Sequence, residues 1–171
     1  MPDRDLTSKI LLLVGGIAMI VGAIDPMEGS LLILPGSALF ALGTWLSDAA
    51  QRVKAFRTVV FGLIAVGVAA LFGLSAAGGF SGEATLSPWW GLLILPYPIG
   101  WTLGVWGPGA PRWMLWLGML AGAWFVGLLG FALRADRHVE FGAGIAALGV
   151  ATIAGCAWSL WRMARSPAAA A

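Results

Sequence analysis

The sequence has few charged residues and little of the side-chain chemistry that catalytic and metal sites use. Only 11% of its 171 residues are Asp, Glu, Lys or Arg, whereas a soluble domain has about 25%. There is one cysteine, Cys156, and one histidine, His138. A single cysteine excludes a disulfide framework and a thiolate metal site, and a single histidine excludes bis-histidine haem ligation within the chain. The motifs of nucleotide-binding loops, serine hydrolases and zinc proteases are missing as well, so the sequence predicts no cofactor.

Long apolar runs dominate what is present. Hydrophobic residues make up 60% of the chain, and the chain has ten tryptophans. A helix needs roughly 17–25 apolar residues to cross the hydrocarbon core of a bilayer, and the runs between the polar segments reach about that length. We therefore interpret the chain as an all-α integral membrane protein whose main partner is the lipid bilayer. A net charge of +2, carried by basic residues in loops, does not predict binding to nucleic acid.

The runs predict six transmembrane helices in a single domain over residues 1–165, followed by a disordered tail at 166–171. Short connections arrange these helices as three consecutive hairpins. The first run has the basic flank and the length of a secretory signal, but it continues directly into a second span, which favours a retained helix. Trp101 and Trp124 fall in the middle of spans and are predicted to pack in the interior. The predicted spans are 9–24, 26–47, 56–76, 88–106, 113–133 and 141–161.

The basic residues predict the orientation of the bundle. Cytoplasmic loops of membrane proteins are enriched in Lys and Arg, so we assign both termini to the cytoplasmic side of a plasma (inner) membrane. Three of the basic residues, Arg52, Lys54 and Arg57, are placed in a loop at 48–57 as determinants of this topology. Only Arg134 and Arg137 then lie outside. The cytoplasmic set comprises Arg4, Lys9, Arg52, Lys54, Arg57, Arg112, Arg162 and Arg165.

The stretch 25–46 contains the signals of a helix start. Asp25 is a residue type that caps helix N-termini, and Pro26 suits the first helical position. Glu28 adds negative charge beside the positive end of the helix dipole. The sequence therefore predicts that the second helix begins at Pro26, with Asp25 as its cap.

A second stretch, 87–106, resembles the first. A serine–proline pair opens it, as an aspartate–proline pair opens the first stretch. The pentapeptide LLILP occurs in both, at 31–35 and at 92–96. These matches predict an internal repeat that covers about 9–48 and 57–106. Whether the third hairpin is a further copy stays open, since it lacks the proline.

Three prolines interrupt the apolar runs of the second and fourth helices. Pro35, Pro96 and Pro98 have no amide hydrogen, so each leaves the carbonyl four residues earlier without its helical partner. Broken helices at matching positions of two repeats point to a transporter site, although prolines also kink membrane helices for packing alone. The interiors of the spans lack ionisable residues, which counts against ion-coupled transport. The predicted free carbonyls are those of Leu31, Leu92 and Ile94.

A rim of polar residues is predicted on the external side. Such residues can hold a divalent cation or act as an acid–base pair, or they can be caps and solvated loop charges. The rim consists of Asp25, Glu28, Glu83, Asp136, His138 and Glu140. Their spacing follows no zinc or EF-hand pattern, so we assign no metal ligand and no catalytic residue. The positions singled out as structural or functional are Asp25, Pro26, Glu28, Pro35, Pro96, Pro98, His138 and Glu140.

Three functional hypotheses follow from these patterns. The leading one is a small non-enzymatic accessory or scaffolding subunit, present as a homo-oligomer or in a larger membrane complex. The first alternative is a channel or transporter for a small uncharged solute that uses the proline-broken second and fourth helices. The second alternative is a membrane enzyme that works at the external rim.

Overall fold

A computed structural model describes residues 2–25, 28–78, 88–134 and 139–165. The described residues fold as six α-helices and two 3₁₀ helices, which confirms the predicted all-helical fold and the number of helices. The α-helices are α1 (Pro2–Val21), α2 (Ser30–Leu46), α3 (Gln51–Ala76), α4 (Pro96–Trp106), α5 (Arg112–Arg134) and α6 (Val139–Ala164). The 3₁₀ helices are Gly22–Ile24 and Pro88–Ile94.

Consecutive helices pack against each other along the chain. The α1–α2 and α5–α6 pairs make the most extensive contacts, followed by α3–α4, and α4 also contacts α1, α5 and α6. Glycines let the paired backbones approach closely. A Cβ added at Gly15 would lie 2.5 Å from the carbonyl oxygen of Gly36. One added at Gly122 would lie 2.7 Å from the carbonyl oxygen of Gly149.

Four helical segments are long and apolar enough to cross a membrane: 4–24, 51–76, 112–130 and 143–164. Only 22% to 33% of the residues in their most apolar 18-residue windows are buried inside the fold. The outward faces are therefore apolar, and Leu120, for example, is 68% exposed. Helix α2, with 17 residues, and the segment 92–106 are apolar but shorter.

The second helix begins later than the sequence predicted. Helix α2 starts at Ser30 with Gly29 as its N-cap, and no side chain caps it. Asp25 caps a preceding turn instead, because its Oδ1 accepts the amide of Glu28 at 3.3 Å and its carbonyl accepts the amide of Gly29 at 2.7 Å. The backbone at Gly22 passes so close to the backbone at Gly29 that a side chain at either position would meet the other. The residues between α1 and α2 therefore form a tight turn, and α2 begins only after it. Pro26 lies outside the described residues.

The two LLILP stretches adopt different structures. Helix α2 runs through Pro35 without interruption, whereas the predicted span 88–106 divides into the second 3₁₀ helix and α4. Pro96 is the first residue of α4, where a missing amide costs nothing. The carbonyl of Leu92, predicted to be free, accepts the amide of Leu95 at 3.2 Å. That prediction was wrong because a 3₁₀ turn pairs each carbonyl with the residue three positions later.

Helix α3 begins at Gln51, five residues before the predicted span. The assignment of Arg52, Lys54 and Arg57 to a loop was therefore wrong. Hydropathy marks the apolar part of a helix and not its end, and Arg and Lys are good helix formers. The first turns of α3 thus carry the basic residues beyond the apolar run.

The core includes Trp101 of α4, which is 2% exposed. Its Nε1 donates a hydrogen bond to the carbonyl of Met19 at 2.8 Å, and its ring centroid lies 5.4 Å from that of Phe125. The predicted interior position of Trp101 is confirmed. That of Trp124 was wrong, since it is 52% exposed. Its neighbour Phe125 takes the inward position, and one helical step turns Trp124 towards the outside.

Candidate functional site

The predicted external rim is only partly described. Asp25 and Glu28 are exposed at the turn between α1 and α2. Glu140 lies in the first turn of α6 with its side chain outside the described part, and His138 lies outside the described residues. Among the residues that the structure describes, no three His, Cys, Asp or Glu side chains are placed to hold a metal ion.

The prolines do not line a common pathway. Pro35 is exposed on α2, while Pro96 and Pro98 are half-buried. Pro98 borders an apolar cavity of about 30 Å³ that Ile33 and Trp101 also line. This volume is about one water's share of the liquid. In addition, Ser37 and Thr102 donate hydroxyl hydrogen bonds to carbonyls within their own helices, both at 2.7 Å.

The most unusual side chain in the described part of the protein is Arg57, which is 2% exposed. Its guanidinium binds three backbone carbonyls at the end of α4. Nε donates to Pro108 at 2.9 Å, one terminal nitrogen donates to Gly107 at 3.2 Å, and the other donates to Gly104. The ring centroid of Phe40 lies 4.5 Å from the guanidinium carbon. Arg57 forms no ion pair with any described residue.

The sequence after α4 explains why Arg57 binds there. The carbonyl of Gly104 would normally accept the amide four residues later, but that residue is Pro108, which has none. The carbonyls at a helix C-terminus lack helical partners and carry partial negative charge. The Arg57 guanidinium supplies both hydrogen-bond donors and a positive charge. A second side chain completes the cap, since Ser159 of α6 donates to the carbonyl of Trp106 at 2.8 Å.

The sequence contains a signal for Arg57 that hydropathy alone does not reveal. The buried residues of α3 include Val60, Ile64, Val68 and Leu71, which follow the spacing of one helix face. Extending this spacing by one turn towards the N-terminus reaches Arg57. The periodicity of the apolar face therefore predicts burial of Arg57, whereas Arg52 and Lys54 fall off that face.

Several helix ends meet around Arg57 and form what we call the basic end of the bundle. The start of α1 meets the end of α2, because Ser8 donates to the carbonyl of Gly43 at 2.8 Å. The end of α2 meets the start of α3 through Trp45 Nε1, which donates to Thr58 at 3.0 Å. The bonds of Arg57 and Ser159 add the ends of α4 and α6, and α5 follows α4 after a short turn.

A cavity of about 340 Å³ opens at the basic end between the α4–α5 turn and the last turns of α6. We call it the α4–α6 cavity. It is lined by Trp106, Gly107, Pro108, Gly109, Trp158, Ser159, Arg162 and Met163. No acidic residue is part of this lining. Gly109 has φ = +80°, a left-handed conformation that favours glycine, and it shapes the turn that forms one wall.

The cavity wall contains an unsatisfied donor. The Nε1 atom of Trp106 is buried and is the one such side-chain nitrogen or oxygen among the described residues without a hydrogen-bond partner. Arg162 in the lining and the nearby Arg57 give the cavity cationic character, while the Nε1 atom of Trp106 is itself buried.

Comparison of the chain with protein-family models, with curated proteins and with solved structures finds no match.

Proposed function

We propose that the chain is an integral membrane protein that acts as a non-enzymatic accessory or scaffolding subunit, as a homo-oligomer or within a larger complex. The observation that carries this proposal is the small buried share of the long helices, 22% to 33% of their most apolar windows. Contiguous apolar surface of this kind marks membrane or protein contact sites. The side faces of the helices are thus available to lipid and to neighbouring helices.

The two shorter apolar segments, α2 and 88–106, approach the thickness of the hydrocarbon core by different means. The 17 residues of α2 rise roughly 25 Å at α-helical pitch. The fourth crossing consists of seven residues of 3₁₀ helix and 11 residues of α4. Because a 3₁₀ helix rises more per residue, these two pieces together reach up to roughly 30 Å, the thickness of the hydrocarbon core.

The basic end supports a cytoplasmic location of both termini in a plasma (inner) membrane. Arg52 and Arg162 are exposed there and Lys54 is half-buried, and cytoplasmic segments are enriched in such residues. Tryptophans accompany them, with Trp45 and Trp161 exposed near the helix ends. Aromatic residues prefer both membrane–water interfaces, so this end of the bundle combines the basic residues of a cytoplasmic side with the tryptophans of an interface.

The environment of Arg57 supports a structural rather than a chemical role. It is the only buried charged side chain among the described residues, and its donors are engaged by three carbonyls. Proton and ion relays need an ionisable group that can exchange partners. The 30 Å³ cavity near Pro98 gives little support to a solute pathway between α2 and α4, so the prolines fit packing better than transport.

Cysteine cross-linking in native membranes tests the scaffolding role. Single cysteines at exposed apolar positions on different helices should form a covalent dimer or capture a partner on at least one face. Suitable positions are Ile17, Leu42, Val66, Leu120 and Val150, which are 44% to 68% exposed. The matched control is Leu115→Cys, since Leu115 is 0% exposed and should not cross-link. A single-chain mass in mild detergent, together with no cross-link at any face, would contradict the proposal.

A further inference from the structure

The α4–α6 cavity has the charge of an anion-binding site. Arg162 lines it from α6, and Arg57 lies behind the wall formed by the α4–α5 turn. A Cβ added at Gly109 would be 3.7 Å from the Nε atom of Arg57, which shows how thin this wall is. Arg57 is bound by carbonyls and forms no ion pair with a described residue, so its positive charge is not cancelled by a carboxylate.

Trp106, one of the residues that line the cavity, carries a buried Nε1 donor without a partner. A buried donor without a partner is rare in folded proteins and is often satisfied by a water or an ion. Because Nε1 itself is buried, an acceptor in the cavity becomes its partner only if the Trp106 ring turns. A phosphate group provides several strong acceptors and a negative charge, and Arg binds it through planar, paired donors.

The surroundings of the cavity favour a lipid over a soluble anion. Trp158 is 55% exposed and stacks on Trp161 with ring centroids 4.8 Å apart. The guanidinium of Arg165 lies 3.9 Å from the ring centroid of Trp161. Basic and aromatic residues in this combination are typical of the membrane interface. Further along α6, Val150 is also exposed, so the cavity opens beside an apolar helix face on which acyl chains can lie.

We propose that the α4–α6 cavity binds the phosphodiester headgroup of an anionic phospholipid, with Arg162 as its direct cationic contact. The proposal rests on the membrane location proposed above. A lipid held there would contact the ends of both α4 and α6, so it would also stabilise the packing of the α5–α6 hairpin against α4. Basic pockets between helix ends on the cytoplasmic side are suited to such headgroups.

The test uses the full chain in nanodiscs and native mass spectrometry. Wild-type protein should retain phosphatidylglycerol in preference to phosphatidylcholine. Arg162→Gln should weaken phosphatidylglycerol binding about fivefold, the effect of one cation near a membrane surface. The matched control is Arg52→Gln, because Arg52 is an exposed arginine of the same end that does not line the cavity. Equal weakening in both variants, or no lipid preference in the wild type, would overturn the proposal.

Two further measurements separate the possible causes of failure. Displacement of the lipid by millimolar glycerophosphate would assign the site to a soluble phosphate and overturn the lipid proposal. A photoactivatable phosphatidylglycerol should label wild-type protein within 106–109 or 158–163, which requires no variant to fold; labelling elsewhere would count against the site. Recovery of the wild type in membranes after carbonate washing reports on the membrane location separately.

Discussion

At the scale of single residues, Arg57 is held by geometry that offsets the cost of burying a charge. Moving a cation out of water costs several kcal/mol even after relaxation. Three hydrogen bonds to carbonyls, together with the negative end of the α4 dipole, offset this cost. A lysine ammonium also has three donors, but only a guanidinium presents its donors in the wide planar fork that these three carbonyls engage.

We expect Arg57→Met to destabilise the protein by about 2–4 kcal/mol, because it removes charged hydrogen bonds and leaves buried carbonyls unpaired. The stability of Arg57→Lys should lie between those of the wild type and Arg57→Met, since an ammonium has three donors but lacks the planar fork. Thermal or SDS unfolding in detergent measures the effect. The control is Arg52→Met, an exposed position on the same helix, which should change stability by less than about 0.5 kcal/mol.

A double-mutant cycle isolates the part of this effect that Pro108 causes. Pro108→Ala restores an amide and frees Gly107 from its extended conformation (ψ = 178°), which proline enforces on the residue before it. The helix can then extend and pair the carbonyl of Gly104 itself. In this background Arg57→Met should cost about 1 kcal/mol less than in the wild type. Strict additivity of the two substitutions would contradict the assigned role of Arg57.

At the scale of elements, the two copies of LLILP show how far a short motif determines structure. The pentapeptides are identical, yet α2 continues through Pro35 while α4 begins at Pro96. Pro98 is the difference, since two prolines in one turn remove two amides. Prolines at these spacings are tolerated in the first turn of a helix but not in its interior. The break therefore falls at Pro96, and a 3₁₀ helix precedes it. The motif alone predicted an interruption in both helices, and only the copy followed by Pro98 has one.

The close helix pairs predict opposite effects of the same substitution at two glycines of α5. In Gly122→Ala, the new Cβ would meet the backbone of Gly149 at 2.7 Å, so α5 and α6 must separate at a cost of about 1–3 kcal/mol. In Gly130→Ala, the Cβ meets nothing within 4 Å, and the better helix propensity of alanine should stabilise by up to about 1 kcal/mol. Unfolding in detergent measures both; equal effects would show that α5 and α6 do not pack at Gly122.

At the scale of the whole molecule, the sequence predicted what depends on hydropathy and missed what depends on long-range contacts. Apolar runs and prolines identified six helices, because each helix must be apolar over most of its length. The start of α2 depends on the close approach of Gly22 and Gly29, and the burial of Arg57 depends on carbonyls far along the chain, such as that of Gly104. These contacts leave only indirect traces in the sequence, such as the spacing of one helix face or a proline after a helix.

The convergence of helix ends at one side of the bundle yields a test of the proposed topology. Lys54 and Arg165 lie at the basic end, while Glu28 lies at the turn between α1 and α2. Single cysteines at these positions should react with an impermeant thiol reagent in intact cells only at position 28. Positions 54 and 165 should react after permeabilisation. Native Cys156 is 0% exposed and should give little background.

The same labelling experiment also tests whether the chain is inserted in a membrane. Helices that alternate in direction must place the α1–α2 turn and the basic end on opposite sides of a bilayer. Excess Lys and Arg at one end fixes which side is cytoplasmic. Labelling of positions 28 and 54 in the same compartment would contradict the single crossing by α2 that the proposed topology places between them. Uniform labelling of all three positions without permeabilisation, with the protein in the detergent-free supernatant, would contradict insertion itself.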